Sequence, residues 1–368
     1  MLAKLPPDER NDPQVRQEVG RLALEALASS TLDTLGGDGD HPAFVPQLNQ
    51  TLNVGQPNAD TIYRTADIAP GGIYRLRGRR GTLRTVMIGE INPKVGAIKV
   101  YHDVNALTAD SEGRYDVILS PARPQGYTGD WWPLSPTATK LLLRTVGSDW
   151  ADEQEPTFSI ERLDRPVARS RPSAADLEQR LRRLPDGISF IGLLLVDHAA
   201  TLRSQGYVNR LKVFDVSQMG GLVGQFYYEG AYELRDDEAL IVEARAPAKC
   251  VYRSMILTNE IYETTDWTNN ESSLNDSQAP VDRDGVLRIV VSARDPGVPN
   301  WLDTAGYPEG VIQGRWNGCD SQPIPTVRKV ALADVRRALP PETPTVTPEE
   351  RERIIRERRA AFQQRPLW

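Results

Sequence analysis

The chain has 368 residues, 39% hydrophobic and 26% charged, with a net charge of −6 at pH 7. That is room for roughly two to three domains of about 150 residues, with the composition of an ordinary soluble globular protein. The negative field would repel a phosphate backbone, so no nucleic-acid footprint is expected. The longest apolar run, 188–196, falls well short of the roughly 20 residues that span a bilayer.

Residues 12–35 predict the first helix. Asp12 is placed as N-cap, Pro13 stands at the first helical position, and Val15, Val19, Leu22, Leu24, Leu27 and Leu32 recur at helical spacing. Gly36-Gly37 should stop it, and a polar loop completes an N-terminal region, 1–57. From residue 58 short apolar runs are broken by glycine and proline. Residues 74–77 alternate with period two, a turn follows at 78–81, and 83–88 reads as the returning strand of a β-hairpin. Further strands are expected at 97–101, 114–119, 140–146 and 157–163, with Trp131-Trp132-Pro133 in a loop, making 58–165 a first β-unit.

A helical insert, 166–210, follows. Ser173 can cap a helix over 174–184, Pro185-Asp186-Gly187 should break it, and 188–204 reads as a second helix, apolar nearly all round at its centre and therefore enclosed. His198, just beyond that centre, reads as a packed or capping histidine. Strands at 224–228, 239–244, 251–257, 286–291 and 311–316 form a second β-unit, 211–335, in which Asp284-Gly285 is a strong turn signal before a strand. No internal repeat is visible. Residues 336–368 form a C-terminal arm: a proline-rich connector and a helix opened by Thr347, Pro348 and Glu350, of alternating charge with a cationic last turn, solvated and lying over the body or a neighbouring subunit. The fold class is therefore mainly β with helical additions: two β-sandwich, jelly-roll-like units of antiparallel sheets.

Chemistry-bearing motifs are few. The sequence carries no nucleophile elbow, no phosphate-binding loop and no dinucleotide fingerprint. Cys250 and Cys319, with His41, His102 and His198, show no metal-ligand spacing, so neither metal nor cofactor is expected. Two cysteines in so long a chain, with no signal-peptide core at the N-terminus, lead to an expectation of reduced, inert thiols and a cytoplasmic protein.

The densest concentration of ligand-gripping residues is 257–316. Asp266 stands beside Trp267, with Glu260 upstream; a carboxyl against an indole in a closed pocket would be desolvated and suited to general acid work. Asn269, Asn270, Ser273 and Asn275 can bond a substrate hydroxyl or carbonyl, or serve turns. Tyr227, Tyr228 and Trp301 are core residues or a binding platform, Trp267, Trp301 and Trp316 an apolar wall, and Arg315 a further substrate-binding candidate. A second cluster, 56–64, offers Asp60, Tyr63 and Arg64 as acceptor, phenol and fixed cation, with an Asp–Arg pair holding the loop as the alternative.

Residues 58–64 with 74–78 resemble an N-terminal motif of uncharacterised actinobacterial proteins. Residues 282–291, Asp295-Pro296-Gly297, Asn300-Trp301-Leu302-Asp303 and Arg315-Trp316 resemble the C-terminal signature of domain-of-unknown-function family 1214, which in related proteins follows a 1254-family domain. The resemblance implies a two-part β-sandwich body, jelly-roll-like in its C-terminal half, and no settled activity. The chain departs from it in ending the last motif on Arg315-Trp316, where an Arg–aliphatic–Tyr pattern is frequent.

The resulting expectation is a cofactor-independent acid–base enzyme of lyase, hydratase, isomerase or cyclase type, acting on a hydrophobic oxygenated small molecule such as a terpenoid, steroid or polyketide. Asp266, Glu260 or Asp60 would be acid or base. The alternatives are a carbohydrate- or lipid-binding sandwich and an assembly protein whose C-terminal arm builds a homo-oligomer.

Overall fold

The computed structural model describes residues 1–92, 100–216, 221–222 and 224–366. Nine strands of the first unit run in chain order: β1 (Val45–Pro46), β2 (Thr61–Asp67), β3 (Tyr74–Arg79), β4 (Thr85–Ile91), β5 (Tyr101–Asp103), β6 (Arg114–Ser120), β7 (Asp130–Pro133), β8 (Lys140–Val146) and β9 (Thr157–Arg162). They form two sheets, ordered β1-β2-β8-β4-β5 and β7-β6-β3-β9. The second unit repeats this count: β10 (Lys212–Val213), β11 (Gln225–Glu233), β12 (Glu238–Arg245), β13 (Tyr252–Leu257), β14 (Ser273–Asn275), β15 (Val286–Ser292), β16 (Trp301–Asp303), β17 (Glu309–Asn317) and β18 (Thr326–Ala331). Its sheets are ordered β10-β11-β17-β13-β14 and β16-β15-β12-β18. Each strand of the second unit occupies the sheet position of the strand nine places earlier. Even the parallel pairs correspond, β6 with β7 and β15 with β16, in sheets that are otherwise antiparallel.

The expectation of no internal repeat is thus corrected: the chain is a duplicated β-sandwich. Each sandwich closes on its own core, because period-two alternation sends one face of every strand inward. Tyr74, Leu76, Val86, Ile88, Val117, Leu119, Leu141 and Leu143 meet in the first, and Tyr228, Leu240, Val242, Leu287, Ile289, Ile312 and Trp316 in the second. Burying each of these side chains contributes roughly 2 kcal/mol.

Several local expectations change. The segments 74–77 and 83–88 are not a hairpin: β3 pairs with β6 and β9, and β4 with β5 and β8, in opposite sheets. Gly78 lies within β3, where a Cβ would come 1.8 Å from the Thr157 carbonyl oxygen, so it serves close approach to β9. Trp131-Trp132-Pro133 belongs to β7, not a loop. The strand expected at 97–101 lies mostly outside the described residues, and β5 begins at its end.

The helices are α1 (Pro7–Asn11), α2 (Pro13–Gly36), α3 (Ala174–Leu193), α4 (His198–Ser204), α5 (Val335–Ala338) and α6 (Pro348–Gln364). Asp12 caps α2 by accepting from the Gln14 and Val15 amides, as its position predicts. Ser173 and Asp176 make a capping box on α3, which then runs unbroken through Pro185. The enclosed helix expected at 188–204 is instead the end of α3, a short connection and α4. Phe190 is 67% exposed, because α3 is a lateral cover and presents only part of its apolar surface to the body.

The C-terminal helix α6 has its expected capping box at Thr347 and Glu350, but no basic residue in its last turn. It is docked, not solvated. Phe362 packs against both Trp150 and Trp267, Arg358 donates to the Trp267 carbonyl (2.6 Å) and Ser273 Oγ (2.6 Å), and Arg351 pairs with Glu271 and Asp295. Arg365, just past the helix, donates to the Ala59 and Asp60 carbonyls. The arm therefore staples the first unit to the second. Cys250 and Cys319 are joined in a disulfide flanking β13 and β17, which corrects the expectation of reduced thiols. No described helix is long and apolar enough to cross a membrane.

Candidate functional site

The two five-stranded sheets turn their outer faces toward each other, and a cavity of about 460 Å³ opens between them. Strands β2, β4 and β8 supply Tyr63, Ile91, Leu142 and Arg144. Tyr227, Gln313 and Arg315 come from β11 and β17, with Val216 and Gly221 beside them. Phe190 and Ile191 at the end of α3, with Leu194 and Leu195, close one side, and the loop residues Gln47, Leu48, Gly55 and Gln56 another.

Strand register explains the polar wall. Tyr63 stands directly across from Arg144 in the β2/β8 pair, and Tyr227 directly across from Arg315 in the β11/β17 pair. These are equivalent positions of the duplicated units, so one Tyr–Arg pair is presented from each side. The Arg144 guanidinium carbon lies 5.8 Å from the Tyr63 ring centre and 5.7 Å from that of Tyr101, and Arg315 lies 5.4 Å from that of Tyr227, in cation–π range. Arg144 also donates to the Tyr101 hydroxyl, which donates to the Gly221 carbonyl (3.0 Å).

Arg315 is 3% exposed. Burial works against its charge, yet Tyr252, Tyr227, Tyr63 and Asp60 outweigh it and hold the guanidinium above its ordinary value; Arg144, opposed by burial and favoured by Tyr101, Tyr63 and Tyr227, is held up likewise. A hydrogen-bonded chain leads back from Arg315. It donates to Gln313 Oε1 (2.6 Å), Gln313 Nε2 donates to the Tyr262 hydroxyl (2.6 Å), and that hydroxyl donates to Glu229 Oε2 (3.2 Å). Glu229 Oε1 meets His198 Nε2 at 2.8 Å. His198 is therefore packed, against Phe214 and Tyr262, and hydrogen-bonded. Tyr262 holds φ at 68°, a conformation costly for a bulky residue and found where surrounding structure enforces it.

The residues singled out from sequence are dispersed. Tyr63 and Arg315 meet at the cavity. Asp266, Trp267, Asn269 and Asn270 line a separate polar groove of about 710 Å³. Asp266 is exposed there and accepts from the Thr268 and Asn269 amides, so the closed carboxyl–indole pocket expected around it is absent; its own turn takes up the carboxylate. Trp267 itself is buried against Phe362, and Asn270 donates back to the Asp266 carbonyl. Glu260 is buried near Glu18, Glu309 and Arg203, and burial pushes it up to about 7. Asp60 and Asn275 sit in an interior knot. The Asp60 carboxylate accepts from Trp150 Nε1 (2.8 Å), Asn275 Nδ2 (2.7 Å) and the Tyr252 hydroxyl (2.6 Å), and burial raises it. Arg64 is buried on the sandwich side of β2, where Glu155 favours its charge. Ser273 is taken by Arg358. Tyr228 and Trp316 pack on each other in the second core, and Trp301 donates to Ser292 beneath Arg351.

Arg144, Tyr101 and Gln313 are missing from the sequence reading, and Tyr227 reads there as core. One signal was present: Arg144-Thr145-Val146-Gly147 and Arg315-Trp316-Asn317-Gly318 each place an arginine three residues before a glycine at the end of a strand.

No known protein family matches the sequence, and no curated protein does. Among solved structures, the chain is similar to an uncharacterised protein from Burkholderia cenocepacia, 27% identical over 90% of this chain and 92% of that one, with a TM-score of 0.82. A protein from Vibrio parahaemolyticus, 12% identical, aligns over 85% of this chain and 99% of that one with a TM-score of 0.48.

Proposed function

We propose that the protein is a cofactor-independent acid–base enzyme whose substrate, a hydrophobic oxygenated small molecule, occupies the cavity between the two sandwiches. The observation that carries this is the pairing of Tyr63 with Arg144 and Tyr227 with Arg315 at one cavity whose wall also carries the apolar side chains of Ile91, Leu142, Phe190, Ile191, Leu194 and Leu195. An apolar cavity of this size with a few convergent polar groups is the usual form of a small-molecule site. The apolar wall would hold the hydrocarbon part. The guanidinium groups would polarise an oxygen of the substrate, and a phenol hydroxyl would give or take the proton.

The rival readings find less support. Among the described residues every tryptophan is buried or half-buried, which gives the flat aromatic platform of a carbohydrate-binding face less support. The C-terminal arm spends its anchors on its own chain. The resemblance to family 1214 stays part of this proposal.

Native mass spectrometry of protein purified from its own host, beside a denatured control, tests the reading. A retained small molecule released on denaturation is the expected result. With that scaffold as substrate, Tyr63→Phe or Tyr227→Phe should lower kcat by about 100-fold, with KM changed far less. Full turnover in both variants would remove the phenols from the chemistry.

A further inference from the structure

Resting on the cavity reading above, we infer that the ligand is an organic acid whose carboxylate is clamped between Arg144 and Arg315. The described lining residues include two arginines and no aspartate or glutamate, in a protein whose net charge is −6. Two cations facing one cavity draw an opposite charge toward it. Asp60, the carboxylate that favours the Arg315 charge, does not line the cavity and accepts from Trp150, Asn275 and Tyr252.

Hydrogen bonding points the same way. Arg315 reaches the cavity from β17. Its Nη2 is committed to Gln313, whose far end is fixed by Tyr262, so the guanidinium is held in orientation before any ligand arrives. A guanidinium fixed in this way suits a carboxylate, whose charge strengthens each hydrogen bond it accepts; a neutral hydroxyl or ester oxygen offers less. The duplication supplies the second cation from the equivalent strand of the other unit, so the clamp closes only when both units are in place.

The experiment is a thermal-shift and calorimetric titration of the full-length protein with benzoate and hexanoate, each beside its neutral amide, at constant ionic strength set with chloride. The carboxylates should raise Tm and bind at least about tenfold more tightly than the amides. Arg315→Met should abolish that preference, and Arg315→Lys should restore part of it. Arg144→Met reads the same loss from the other unit, should the Arg315→Met chain not fold. Amides that bind as well as carboxylates would overturn the inference while leaving the cavity reading intact, as would a preference that survives in folded Arg315→Met protein. No response to any of the four compounds overturns it too; the cavity reading falls with it only if native mass spectrometry also finds nothing retained.

Discussion

Glu260 carries a carboxyl with 5% exposure and no cationic partner within salt-bridge distance among the described residues. Burial, with Glu18 and Glu309 nearby, holds it up to about 7, and Glu263 and Glu25 are pushed up to about 8 and about 7 by the same cause. A carboxyl raised on folding keeps a proton that the unfolded chain releases near about pH 4.3. Stability is therefore highest below that pH for this group, falls as pH climbs toward 7, and is then level. Glu260→Gln cannot ionise, so at pH 8 it should be more stable than the parent by about 2 kcal/mol, with a flatter profile between pH 5 and 7 in urea denaturation. A destabilised Glu260→Gln protein at pH 8 would show that the charged carboxylate is wanted there. This is also where the expected acid–base role of Glu260 is separated from burial, since the residue lies beside α2 and away from the Tyr–Arg pairs.

The element that most changes the picture is α6. Its sequence has so little apolar surface that it reads as a solvated arm, yet three side chains on one face are buried: Arg351, Arg358 and Phe362. Arginine stems pack while their heads reach carbonyls and carboxylates, which hydrophobicity alone does not anticipate. Phe362 bridges Trp150 of the first unit and Trp267 of the second. Phe362→Ala should cost about 3 kcal/mol in chemical denaturation, the usual price of truncating a buried phenylalanine. Sedimentation of a chain lacking residues 345–368 should show the same number of chains per particle as the full-length protein, with lowered stability; fewer chains per particle would return the arm to an assembly role.

At the scale of the whole molecule, two like sandwiches are joined by a cavity, an interior knot at Asp60 and a terminal staple. The Cys250–Cys319 disulfide closes a sequence separation of 69 residues within the second unit. Such a closure stabilises by roughly 2–4 kcal/mol, chiefly by restricting the unfolded chain. Thiol titration should find no free cysteine in the folded protein, and a reducing agent should lower the urea midpoint accordingly. An unchanged midpoint on full reduction would mean that the local sheet already holds those strands.

How much of this was legible depends on range. Strands at 114–119, 140–146, 239–244, 286–291 and 311–316 and the capped starts of α2, α3 and α6 are written locally, in period-two alternation and in a few capping atoms. Sheet membership is not local. Two consecutive strands joined by a glycine turn look like a hairpin whether they pair or part into opposite sheets, as β3 and β4 do. The duplication is likewise carried by strand order, which survives when residue identity does not. The site follows the same division. Tyr63 and Arg315 could be chosen for their chemistry alone, but Tyr63 acquires its meaning from Arg144 on another strand, and both from a mirror pair in the other unit. The sequence by itself determined where the chain would be extended, where helices would begin and that the body would be mainly β. Only the tertiary structure decided which side chains face one another across a register, because that depends on contacts between strands far apart in the chain.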